Sequence, residues 1–143
     1  IPTFAPEHFC RVSAKDSMKR KQFVKGTEQI AQEGAIQIFK VPNSGMEEVI
    51  VGVVGTLQLD VFQYRMKNEY GVDLRMEYLP YEEIRKIDAY KGDLMDLNLG
   101  GDAEVLEDYH GNNLLVYSSF WAIDFINRRN PGLEVSEIVV EEG

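Results

Sequence analysis

Twice within residues 1–80 the apolar pattern of this chain switches from a period of two to a helical period and back. An order of strand, helix, strand, strand, helix, strand has few solutions, because each helix must return the chain to the sheet it left. "HFCRVSA" alternates as a short strand does, with Cys10 and Val12 on one side and Phe9 and Arg11 on the other. "KDSMKRKQFVKGTEQIAQEG" follows, with Asp16 or Ser17 placed to cap a helix. Wound at ~100° per residue, that helix sets Phe23, Val24, Thr27, Ile30 and Ala31 on one face, and Lys21, Lys25, Gln29 and Gln32 on the other. Gly34 supplies its left-handed stop. "AIQIFKV" leaves as a strand, "PNSGMEE" turns, and "VIVGVVG" returns.

Beyond Thr56, one apolar stripe holds Leu57, Val61 and Tyr64, and the next holds Leu59, Phe62 and Met66, so a broad buried helical face is expected. Gly71 closes this helix. "VDLRMEYL" then alternates Val72, Leu74, Met76 and Tyr78 against Asp73, Arg75 and Glu77, a strand with one wet face. Residues 1–80 therefore read as an α+β, ferredoxin-like split βαβ unit, one antiparallel sheet with both helices on a single face.

Residues 81–143 repeat a similar order more faintly and are expected to form a second, smaller α/β half of one 1–143 domain. Strands are expected near Glu83–Tyr90, Ala103–Glu107 and Glu134–Val140, with "NLLVYS" as another and a short helix around Asp93–Asn98. Ser119 is placed to cap "FWAIDFINRRN", whose buried stripe would be Trp121, Ala122, Phe125 and Ile126; Pro131 and Gly132 stop it. No residue-level repeat relates the halves.

With 44% apolar residues among 143, the chain can bury one core, or two small ones sharing an interface. No apolar run approaches the ~20 residues that a membrane-crossing helix needs, and "IPTFAPEHF" lacks the pattern of a signal peptide. Cys10 is the single cysteine, so no internal disulfide can form, which suits a reducing cytoplasm. Ile1 in place of an initiator methionine leads us to expect a piece of a longer protein. The net charge of −9 is uneven: residues 1–40 carry +3 and residues 41–143 carry −12.

Little catalytic chemistry is legible. Neither Gly52/Gly55 nor Gly100/Gly101 is followed by the lysine and hydroxyl of a phosphate-binding loop. In "VVGTLQLD", Gly55 is read as a tight turn, Thr56 as a cap and Asp60 as a complement to the helix dipole; the nearest cation, Arg65, lies about two and a half turns along. His8 and Cys10 are two apart, but His110 is the only other histidine, so no metal is expected. The carboxylate pairs Asp93/Asp96 and Glu107/Asp108 sit in polar stretches and read as solvated surface, and Cys10 reads as buried and inert. One cluster keeps functional weight. Lys19, Arg20, Lys21 and Lys25 crowd the start of the first helix, where positive charge opposes the macrodipole by a few tenths of a kcal/mol each. A solvated lysine face and a surface for phosphate or an acidic partner both fit it.

The runs "KQFVKGTEQIAQEGAIQIF" and "VIVGVVGTLQLDVFQYRMKNEYGVDL", with "FAPEHFCRV" before them and "GGDAEVL" and "FINRRNPGLEV" after, resemble the C-terminal region of the bacterial peptide chain release factor 3 family. These are translational GTPases related to elongation factor G. The resemblance implies a GTPase domain and a β-barrel upstream, with GTP and Mg held there, no cofactor in this fragment and no catalysis of its own. It implies a ribosomal partner (ribosomal RNA and ribosomal protein), a functional link to class I release factors, contact with the parent's other domains, and a cytoplasmic setting. Lys19, Lys21, Gln22 and Lys25 match the family's lysine-rich first helix and are the expected ribosome contacts. Leu57, Leu59 and Val61 of "VGTLQLD" are expected to pack under the sheet as a fold signature. Two other readings remain open at this point: the equivalent domain of another translational GTPase, and a stand-alone ferredoxin-like module binding a small molecule.

Overall fold

The computed structural model describes residues 5–42, 45 and 47–138. The alternating segment His8–Ala14 is strand β1, and Arg20–Gln32 is helix α1. Strands β2 (Gln37–Lys40) and β3 (Glu48–Val53) precede helix α2 (Leu57–Tyr70) and strand β4 (Leu74–Leu79). Within this unit the sheet order is β4-β1-β3-β2 and every pairing is antiparallel. That is the split βαβ arrangement, and it follows from the two crossings made by α1 and α2.

Cys10, Val12, Ile38, Val49, Val51 and Val53 of the sheet pack with Phe23 and Ile30 of α1 and Leu59, Phe62 and Met66 of α2. The two helices approach closely at Gly26, where an added Cβ would lie 2.7 Å from Met66 Sδ and 2.9 Å from the Tyr70 ring. Thr27, wholly buried beside it, satisfies its hydroxyl on the carbonyls of Phe23 and Val24 at 2.9 and 3.0 Å. Gly71 ends α2 in the left-handed region (φ 70°), which lets the amides of Gly71 and Val72 return to the carbonyls of Lys67 and Met66.

The later residues build strands β5 (Glu83–Ala89), β6 (Ala103–Glu107), β7 (Asn113–Tyr117) and β8 (Glu134–Glu137), with helix α3 (Phe120–Arg129) between the last two. Their order is β6-β7-β5-β8, again wholly antiparallel. Counted from its own first strand, this is the same topology as the first unit, with a one-turn 3₁₀ segment at Leu94–Asp96 in place of its first helix. The expected α/β half is thus an antiparallel α+β arrangement, because its crossovers place strands two apart and not side by side. The end of the expected last strand, Val139–Val140, lies outside the described residues, as do parts of "PNSGMEE".

Among the described residues a single pairing, Lys40 with Glu107, joins β2 to β6 and makes one eight-stranded sheet. The larger junction is apolar. Phe9, Phe39 and Ile50, on the face of the first sheet that the helices leave bare, pack with Tyr81, Ile84, Leu106, Leu114 and Val116. The first sheet is therefore buried on both faces. On its other face the second sheet packs Val105, Leu115 and Tyr117 against Ile123 and Ile126 of α3.

Several expected contacts fall differently. Of the two stripes on α2 only Leu59, Phe62 and Met66 are buried; Leu57 is 70% exposed, and Val61 and Tyr64 are exposed too. The expectation that Leu57 and Val61 pack under the sheet is therefore corrected, because α1 fills only one side of α2. In α3 the buried pair is Ile123 and Ile126, with Ala122 and Phe125 half-buried, while Trp121 faces outward. Thr56 and Ser119 stand at helix starts, but neither side chain caps. Before α2 the Gln58 side chain folds back on the turn instead, its Oε1 accepting from the amides of Val54 (3.0 Å) and Gly55 (3.2 Å).

Candidate functional site

The lysine cluster grows out of the turn before α1. Asp16 caps a one-turn 3₁₀ segment, Ser17–Lys19, by accepting the Met18 amide at 2.9 Å. Lys19 donates its own amide to the Asp16 carbonyl at 3.0 Å and is half-buried at the entry to α1. Lys21, Gln22 and Lys25 are exposed; Lys21 and Lys25 are one turn apart and so share a face. Among the described residues Lys19, Lys21 and Lys25 make no ion pair, whereas Arg20 reaches Glu47 at 3.6 Å. The first turn of α1 has no acidic residue and no side-chain cap, so its dipole leaves these charges uncompensated.

The turn in "VVGTLQLD" carries no comparable opening. Gln58 occupies the turn amides of Val54 and Gly55, the amides of Gln58 and Leu59 bond to the Gly55 and Thr56 carbonyls, Gly55 does not adopt a positive φ, and a Cβ there would meet nothing within 4 Å. Glycine is therefore not required by this turn. Arg65 pairs with Glu33, the residue that caps the end of α1, and with Glu69 of α2, and hydrogen bonds from its guanidinium hold both carboxyls below the usual range. It ties helix to helix.

His8 is exposed while Cys10 is wholly buried, so they do not converge, and among the described residues no group of three or more His, Cys, Asp or Glu could hold a metal ion. Burial pushes the Cys10 thiol up to about 11. The thiol is expected to react with Ellman's reagent at pH 8 at least a hundredfold more slowly in native protein than in urea. Rapid native labelling would mean that β1 opens readily. Asp93 and Asp108 cap local turns: Asp93 accepts the Met95 amide, and Asp108 accepts the amides of His110 and Asn112.

One charged centre was not anticipated. Arg11 projects from the face of β1 that also bears Phe9, and lies 2.9 Å from Glu48, 3.6 Å from Glu77 and 2.7 Å from Glu104 of β6. Burial alone would lower its pKa, but the hydrogen bonds to Glu104 and Glu48 outweigh that and hold it above the ordinary guanidinium value. Beside it, burial first and the Glu104 carboxylate second push the Tyr81 phenol up to about 12. An arginine at an inward strand position was the available signal, since a buried cation needs carboxylate partners. The partners lie 37, 66 and 93 residues away, beyond any local pattern.

Two split βαβ units, joined through a shared apolar layer and an arginine centre, define a tandem α+β module of ferredoxin-like topology. Comparison with known proteins gives the lineage: the family described as "Class II release factor RF3, C-terminal domain" matches residues 1–127, and the chain belongs to it. Proteins named Peptide chain release factor 3 are similar along nearly all of it. The one from Symbiobacterium thermophilum is 43% identical over 93% of this chain and 25% of its own length. That from Lactobacillus helveticus is 38% identical over 96% and 25%, and that from Listeria welshimeri 39% over 97% and 26%. The chain spans about a quarter of the length of these relatives. No helix among the described residues is long and apolar enough to cross a membrane.

Proposed function

We propose that this chain is the ribosome-docking C-terminal domain of a cytoplasmic translational GTPase. That parent promotes GTP-dependent dissociation and recycling of class I release factors in translation termination. The observation that carries the reading is the family membership over residues 1–127, on a fold whose α1 presents uncompensated lysines. GTP and Mg belong to an upstream domain of the parent, and this fragment contributes position, not catalysis. Lys19, Lys21, Gln22 and Lys25 meet the ribosome, through RNA phosphates or ribosomal protein.

The mechanism is a lever. Nucleotide-driven rearrangement upstream shifts the whole tandem unit against the ribosome, and differential contact in the two states biases the equilibrium between them. A lever must not bend, and the layer of Phe9, Ile50, Leu106 and Val116 with the Arg11–Glu104 bond supports rigid transmission between the halves.

The test is co-sedimentation of the intact parent with ribosomes, loaded with a non-hydrolysable GTP analogue, across a salt series. If the lysines neutralise RNA phosphates, Lys19→Glu, Lys21→Glu and Lys25→Glu together lower affinity and reduce the log–log salt slope by about 2 to 3. Unchanged affinity and slope would make α1 a solvated face.

A further inference from the structure

A second surface, in residues 81–143, has no part in that account. At the start of α3, Phe120 and Trp121 stand 67% and 77% exposed, their rings edge to face with centroids 5.8 Å apart. The helix is anchored by Ile123 and Ile126, so its packing does not call for aromatics at these two positions. Rings left this far in water forgo burial that a partner would restore.

Three exposed carboxylates gather at the same end of the sheet. The Ser118 amide donates to the Asp102 carbonyl and the Glu82 amide to the Tyr117 carbonyl, both at 3.1 Å, and Glu83 lies opposite Tyr117 in the β5–β7 register. Among the described residues Asp102, Glu82 and Glu83 make no ion pair. Of the neighbouring charges, Arg85 donates to the Tyr117 hydroxyl at 2.6 Å, where Glu83 also reaches, and Asp124 pairs with Arg128 at 3.1 Å. Residues 81–143 hold fourteen acidic and five basic side chains, so the wider field has the same sign as this rim.

Aromatic faces attract guanidinium and ammonium groups, and carboxylates hold them by charge-assisted hydrogen bonds. The same rim repels phosphate, which argues against nucleic acid. We infer that this end of the second half docks an arginine- or lysine-rich segment of a protein, with Trp121 and Phe120 as the anchor and Glu82, Glu83 and Asp102 as the rim. The inference rests on the ribosome-docking reading and makes this partner a basic ribosomal protein, separate from the contacts of α1.

The test places a photoreactive group at the anchor. In the intact parent, Trp121→benzoylphenylalanine is irradiated on ribosomes and the adduct sequenced. An adduct to a protein segment rich in arginine or lysine is expected. An adduct to RNA, to an acidic or apolar peptide, or to another part of the parent overturns the inference, as does co-sedimentation without any adduct. Phe120→Ala with Trp121→Ala, and separately Glu82→Lys with Asp102→Lys, should each weaken ribosome binding by about tenfold or more. These side chains are exposed, so both variants are expected to fold, and a change under twofold in both overturns it. If the unmodified parent itself fails to co-sediment, the docking reading falls and takes this inference with it; sedimentation without the adduct removes this inference alone.

Discussion

Replacing Phe62 by alanine is expected to remove about 3–5 kcal/mol of stability, whereas Leu57→Ala, five residues earlier on the same helix, should change it by less than about 0.5 kcal/mol. Phe62 is 1% exposed beneath the first sheet, and its loss leaves a cavity between α2 and the strands that the close crossing at Gly26 prevents from collapsing. Leu57 has most of its surface in water already. Urea unfolding of the two variants decides the matter, and the thermal midpoint should separate them by on the order of 10 °C. Equal losses would mean that both stripes of α2 are buried in solution, and that something covers the outer one.

Arg11→Ala should cost about 2–3 kcal/mol, below the ~3–5 kcal/mol of a fully buried pair because water still reaches the guanidinium. Arg11 is the cation shared by Glu48, Glu77 and Glu104, and its removal leaves those carboxylates facing one another across the junction of the halves. A cycle with Glu104→Gln measures the coupling across that junction. A cost below about 0.5 kcal/mol would show that the apolar layer alone holds the halves together. Alkaline pH probes the same place. Tyr81 and Cys10 have folded pKa values raised to about 12 and about 11. Their contribution is thus complete below their unfolded values, near 10 and 9, and is lost as pH rises through the folded ones. Tyr81→Phe should flatten the fall in stability between about pH 10 and 12.

The elements were legible because period and punctuation are local. The alternation of "HFCRVSA", the stop at Gly34 and the closure at Gly71 appear where the residues place them, since a strand's two faces and a left-handed cap depend on near neighbours. Assignment of inward faces was less secure. The stripe Leu57–Val61–Tyr64 is as apolar as the stripe that is buried, and no period tells how wide a groove the rest of the fold will offer. Trp121 misled for the same reason: an apolar side chain on a helix reads as core until the neighbouring layer is known to be full.

Of the candidate sites, the lysine group at the start of α1 could be located from sequence, because opposition to the helix dipole is itself local. The Arg11 centre could not, since its partners arrive from β3, β4 and β6. Nor could the aromatic pair with its acidic rim, which depends on the bonds that set Ser118 beside Asp102 and Glu82 beside Tyr117.

By itself, then, the sequence determined the order of strands and helices, the topology of the first unit and the membership in its family, all of which follow from patterns running along the chain. Only the tertiary structure decided how the later strands are arranged within the sheet, that the first sheet is covered on both faces, and which apolar and charged groups remain in water. Those are outcomes of packing between segments distant in sequence. A side chain's environment is set by what the fold brings against it, and that information is spread over the whole chain.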